Sequence, residues 1–163
     1  MKPTDTLDAR VFAAGLPPVA RAWRARNDAA LAELRLSTTL AYPIMAVYRL
    51  GGGVRQNVVA DALGIEGPSL VRALDSLGAA GLLERHDDPA DRRAKTLHLT
   101  REGERLARQI ETVVAKVRDE LLAGIPEEDL ATAIRVLRSI ARAAGVSLMA
   151  PIGLADAETA AGK

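Results

Sequence analysis

Apolar positions recur at helical spacing along most of the chain. From Pro17-Pro18 to about Arg35, Val19, Trp23, Ala30 and Leu34 mark one helix, with the paired prolines suited to its first turn. Ser37 is placed to cap a second helix that carries Leu40, Ile44 and Val47. Pro43 lacks a backbone donor, so a kink or a delayed start is expected there. Gly51-Gly52-Gly53 ends that element. A short helix follows from Gln56 to Leu63, closed by Gly64, and another begins near Pro68 and stops between Gly78 and Gly81. In the latter, Leu70, Val71, Leu74 and Leu77 predict a face toward a core, while Ser69, Arg72 and Ser76 fall largely on the other side.

The period then changes from helical to alternating. Leu82 to His86 and Ala94 to Leu99 read as two short antiparallel strands around the polar loop HDDPADRRAK, with Thr96 and His98 alternating with Leu97 and Leu99. Thr100 caps a long helix whose first turn holds Glu102 and Glu104, complementing the helix dipole. Its stripe is Leu106, Ile110, Val113, Val117 and Leu121; Gly124 ends it, and Pro126 opens a last helix bearing Leu130, Ile134, Leu137 and Ala141. The expected organisation is a flexible arm over 1–15, one domain over 16–145 and a flexible tail over 146–163. The fold class expected is mainly α with a small β-hairpin. A helix of roughly 100–123 spans about 35 Å, too long for a small core to cover. Helices at about 17–35 and 100–145 therefore need a partner, and a second copy of the chain is the economical one.

Composition narrows the function classes. With 48% hydrophobic residues in 163, the chain can bury a sizeable core. No cysteine is present, which excludes disulfides, thiolate metal sites and cysteine redox sensing. The two histidines, His86 and His98, have no second ligand at metal-binding spacing, so neither a metal site nor a cofactor is expected. No apolar run is long enough to span a bilayer and the first residues lack a secretory core, so the expectation is a cytoplasmic protein with no membrane partner. No nucleophile elbow, P-loop or HExxH occurs, and no enzyme is expected. The net charge of +1 is modest for a nucleic-acid binder, and residues 82–105 balance six basic against six acidic side chains. None of the four aromatics lies in 54–100, which argues against stacking on single strands.

Placement supplies what net charge does not. A helix with one anchored and one polar face is followed by a hairpin with adjacent arginines, Arg92 and Arg93, near its tip. That pairing suits double-stranded DNA, with one element reading base edges and the other gripping the flanks. Arg72 is suited to bidentate contact with guanine, against the plainer reading of a surface arginine paired with Asp75 or Glu66. Ser69 either meets DNA or caps its own helix. Asp91 either shapes the turn or holds the Arg93 guanidinium.

The run GIEGPSLVRALDSLGAAGLLERHDDPADRRAKTLHLT resembles the winged helix-turn-helix of MarR-type transcriptional regulators, closest to the SlyA-like branch. The resemblance rests on GIE-x-PSLVR-x-LD-x-L and on DRRAK followed by a strand ending in LT. It implies a winged helix-turn-helix core over about 37–100, flanked by N- and C-terminal dimerisation helices. It also implies a homodimer on a pseudo-palindromic operator, usually a repressor released by a small phenolic or aromatic carboxylate effector. On it, Pro68, Ser69 and Arg72 belong to the reading helix, Arg93 to the minor groove with Asp91 orienting it, Arg92 or Lys95 to phosphate, and Gln56 to the backbone. Arg55 departs from the family pattern, standing where a capping Ser or Thr is usual; so does Ala41, at a place often held by tryptophan. Trp23, Tyr42, Met45 and Tyr48 are candidates to line an effector cavity, against ordinary core and interface packing. Arg26 either meets an effector carboxylate or faces water. An activator that displaces nucleoid proteins, or a winged helix used for protein contacts, are the alternatives.

Overall fold

A computed structural model describes residues 7–146 and 148, apart from the side chains of Arg92 and Arg93. The order is α1 (Leu7–Leu31), a 3₁₀ turn (Ala32–Leu34), α2 (Thr38–Arg49), β1 (Val54–Arg55), α3 (Gln56–Leu63), α4 (Gly67–Ala79), β2 (Leu83–Asp88), β3 (Asp91–Leu99), α5 (Arg101–Leu122) and α6 (Glu127–Ala144). The strands form one antiparallel sheet in the order β1-β3-β2. Among the described residues no helix is long and apolar enough to cross a membrane.

Residues 7–15, expected as part of a loose arm, are helical: α1 starts at Leu7 and carries Pro17 and Pro18 in its interior. Each proline removes one helical donor, and the acceptors left over belong to Ala13 and Ala14, which are exposed, so water can take them. Residues 1–6 of that arm and nearly all of the 146–163 tail lie outside the described residues.

Helix α2 is the centre of the core. Ala41, Pro43, Ile44, Met45, Ala46 and Val47 are all buried, and the helix runs unbroken through Pro43 rather than starting after it. The acceptor that Pro43 leaves over is on exposed Thr39, and packing on nearly every side holds the helix together. Ser37 is the N-cap as expected, yet its side chain makes no capping bond. The carboxylate of Asp28 in α1 accepts from Thr38 N at 2.6 Å instead, tying the two helices at that corner. Three successive glycines with φ of 82°, 72° and 65° then turn the chain into β1, where Gly53 N donates to Leu97 O at 2.9 Å.

Leu70, Leu74 and Leu77 of α4, Val59 of α3, Leu97 of β3 and Ile110 of α5 meet Ile44 and Val47 in one core. Val71, expected on that face, is 37% exposed; Ala73 is buried in its stead, one turn along from Leu70 and Leu77. The strands run further than their apolar alternation predicts, to Asp88 and Asp91, leaving only Pro89 and Ala90 between them. That extension is polar on both faces and so carries no period-2 hydrophobic signal.

Thr100 caps α5, its hydroxyl accepting from Gly103 N at 3.0 Å and donating to Gly81 O at 2.8 Å. Gly103 is packed so tightly on the α4–β2 connection that a Cβ there would lie 2.0 Å from Leu82 O. The described outer helices keep apolar positions in solvent: Leu7, Val11, Phe12 and Leu16 in α1, and Ile134, Val136, Leu137 and Ile140 in α6, where only Ala141 is buried.

Candidate nucleic-acid interface and adjoining cavity

The core face of α4 fixes what the helix presents outward. With Leu70, Ala73, Leu74 and Leu77 inside, Pro68, Ser69, Arg72 and Ser76 are all exposed. Asp75, a possible partner for Arg72, is taken by Arg85 of β2 at 2.7 Å. The Arg72 guanidinium has no protein partner among the described residues. The α4 N-cap is Glu66 and no side chain caps it, so the Ser69 hydroxyl is not spent on capping either. Val71, on the flank of this surface, is an apolar group that the sequence reading assigned inward.

Helix α3 begins at Gln56, which is half-buried, and its N-cap Arg55 makes no side-chain capping bond. The first-turn N–H groups of α3 are thus left to water or to an anion. Arg55 reaches across to the hairpin instead. Its Nε donates to Asp88 Oδ2 at 2.6 Å, and Asp88 Oδ1 accepts from Ala90 N at 2.8 Å. The Arg55 guanidinium, followed by the Ala90 N–H, holds the Asp88 carboxyl below its usual range. The same hydrogen bond raises Arg55. Neither residue was singled out as a partner of the other from sequence, because they are distant in the chain.

In the wing, Asp91 and Arg92-Arg93 open β3, and Lys95 pairs with Asp87 across the ribbon. That pair is exposed, so exchanging Asp87 for a phosphate costs Lys95 little. The expected contact between Asp91 and the Arg93 side chain lies outside the described residues. Further down, His86 and His98 stack with ring centroids 4.4 Å apart; His86 bonds Glu84 at 2.9 Å and His98 bonds Thr96 at 3.0 Å.

Behind α3 lies a cavity of about 420 Å³. Trp23 and Asn27 come from α1, Tyr42, Met45 and Arg49 from α2, Ala62 and Leu63 from α3, Val114 and Arg118 from α5. The structure therefore brings together Trp23, Tyr42 and Met45 from the sequence candidates. Tyr48 instead lines a separate hollow with His98 and Arg108, and Arg26 pairs with Glu120 at 2.9 Å on the surface. Asn27 was missed. It is 4% exposed, donates to the Tyr42 hydroxyl at 3.0 Å, and its carbonyl oxygen has no partner. Arg49 is held by both oxygens of Glu111 at 2.8 Å, joining the end of α2 to α5. Arg24 sits 5.8 Å over the Tyr42 ring.

Residues 43–94, which hold α4 and most of the β2–β3 hairpin, match the model of the MarR family. The chain is 36% identical to the transcriptional regulator PA3341, covering 82% of this chain and 98% of that one with a TM-score of 0.77. CouR from Rhodococcus jostii RHA1, crystallised with p-coumaroyl-CoA, is 28% identical, with 77% and 88% covered and a TM-score of 0.72. A MarR-family regulator from Rhodococcus sp. RHA1 is 26% identical, with 85% and 96% covered and a TM-score of 0.73.

Proposed function

The chain belongs to the MarR family of winged-helix, DNA-binding transcriptional regulators, and from that premise we propose a two-fold homodimer that represses by occupying a pseudo-palindromic operator. The observation that carries this reading is α4 with the unpaired, outward guanidinium of Arg72, set beside a two-stranded wing. Arg72 and Ser69 would meet base edges in the major groove. Arg93 would enter the minor groove with Asp91 alongside, while Arg92, Lys95 and the open start of α3 at Gln56 take phosphates. Dimerisation is supported by the apolar positions that α1 and α6 leave in water. An extended α1 with two interior prolines is costly for a lone helix, and a partner helix along Leu7 to Leu16 would offset that cost.

The cavity is the candidate effector site. Its volume falls in the range of small-molecule pockets, and its walls are Trp23, Tyr42, Met45, Leu63 and Val114. The unpartnered Asn27 oxygen calls for a hydroxyl or N–H donor, since a buried acceptor left unmatched is costly. Arg49 is committed to Glu111, but Arg118 is paired among the described residues only with exposed Asp119, at 3.2 Å, and can exchange that carboxylate for an effector's anion. A phenolic or other hydroxylated aromatic carboxylate satisfies all three, and the p-coumaroyl-CoA bound to CouR carries a phenol. Because the walls come from both the dimer helices and the reading head, filling the cavity shifts one against the other. An effector that prefers the altered spacing releases the operator.

The test is titration of duplex binding against salt. With about four phosphates neutralised per protomer, log affinity falls against log salt with a slope near −7. A slope near zero removes the DNA reading. Release by hydroxylated aromatic acids, measured on the same complex, tests the effector.

A further inference from the structure

We propose that Arg55 and Asp88 form a positioning clasp, locking the wing to the start of α3 so that wing and reading helix meet the duplex as one body. This rests on the DNA-binding reading above and concerns how that site is held together.

Strand β1 supports β3 only at Leu97 and Thr96, opposite Val54 and Arg55. Beyond that point, residues 87–95 form a ribbon of two strands with no third neighbour. A two-stranded ribbon is marginal in water. It also carries Asp87, Asp88 and Asp91 close to where the duplex backbone would run, an arrangement that repels phosphate unless the charges are met.

While Lys95 meets Asp87, Arg55 braces the ribbon and neutralises Asp88 from one position. It is the last residue of β1 and the residue before α3, so its backbone belongs to the helix-turn-helix. Its side chain leaves the body and closes on Asp88 at 2.6 Å, where the pairing of β2 with β3 shifts register. Asp88 is 7% exposed, unusual for a carboxylate near a hairpin tip, and spends its other oxygen on Ala90 N in the turn. One carboxylate thus joins the start of α3, the second strand and the turn, and a cation neutralises it. The depressed Asp88 carboxyl agrees with a fully formed ion pair. A short Ser or Thr at residue 55 could cap α3 but could not span to the wing.

The experiment compares Arg55→Gln, Arg55→Lys, Asp88→Asn and the Arg55→Gln/Asp88→Asn double variant in the full chain. Two quantities are read: amide exchange at Ala90 and Asp91 in the free protein, and affinity for a bound duplex. A clasp predicts faster exchange in both single neutral variants, affinity lowered about tenfold or more in each, and a double variant no worse than either single. Arg55→Lys should recover part of the loss. Two outcomes overturn the proposal. One is unchanged exchange and affinity in both singles. The other is weakened binding by Arg55→Gln alone, with Asp88→Asn neutral or tighter, which would make Arg55 a direct phosphate contact. If the unaltered protein holds no duplex, the regulator reading fails, and the exchange data still decide whether the ribbon is clasped.

Discussion

Gly103→Ala is the substitution on which the packing account is most exposed. Residue 103 is the third of α5, and its amide completes the Thr100 cap. An added Cβ would sit 2.0 Å from Leu82 O and 3.0 Å from Leu82 C. Both are backbone atoms, and Leu82 O already accepts from Thr100 N at 3.1 Å, so it cannot swing away without losing that bond. Relief requires a movement of about 1.3 Å, to reach the 3.3 Å or so at which carbon and oxygen meet without overlap. Overpacking of this kind costs about 1–3 kcal/mol. Against it stands the gain from replacing a helical glycine by alanine, at most about 1 kcal/mol. The clash wins over most of that range, with a net loss of about 1 kcal/mol and a fall in Tm of about 3 °C. Gly78→Ala is the control, because its Cβ position meets only Leu83 O, at an ordinary 3.7 Å; it should leave Tm unchanged or raise it by a few degrees. Calorimetry of both variants at one protomer concentration reads the difference. A Gly103→Ala protein as stable as the parent, or more so, refutes the close approach of α5 to the reading domain.

Arg72→Ala should cost about 1–3 kcal/mol of operator affinity per half-site, roughly 5- to 150-fold, with an unchanged circular dichroism spectrum; equal affinity by fluorescence anisotropy would contradict base or phosphate contact. Asn27→Leu removes the unmatched carbonyl of the cavity. Duplex binding should persist while release by a hydroxylated aromatic carboxylate weakens at least about tenfold, and an unaltered response would exclude Asn27 from the effector site. Asp88 has a lowered pKa in the folded chain, so its contribution to stability is complete above the ordinary aspartate range and is lost as pH falls through the lowered value. Protection of the Ala90 amide, taken relative to its intrinsic exchange rate at each pH, should therefore hold from neutral pH to about pH 4 and fall only below it; protection already lost near pH 6 would show that the Asp88 carboxylate does not hold the turn.

The sequence made legible whatever is decided within a few residues. The bounds of α3 and α4, the Thr100 cap and the division of α4 into a core and an outer face all depend on local spacing and capping chemistry. What escaped depends on partners far along the chain. Asp28 takes over the capping of α2, so Ser37 marks the right place without making the bond. Gly103 looks like an unfavourable residue in a helix until Leu82 O is placed against it. Val71 is apolar yet lies 37% exposed, because the core takes Ala73. The polar outer wing has no alternation to mark it as strand, and Arg55 reads as a missing cap until Asp88 arrives beside it. Of the cavity, the aromatic walls were found by residue type. Asn27 was not, since its significance is an oxygen left without a partner.

Selection of bound sequences from a random duplex pool tests the central claim most directly. Two symmetry-related α4 helices predict enrichment of a pseudo-palindrome whose half-sites are about one helical turn, roughly 34–36 Å, apart. Recovery of no preferred sequence, or of a single asymmetric half-site bound by one protomer, would contradict it.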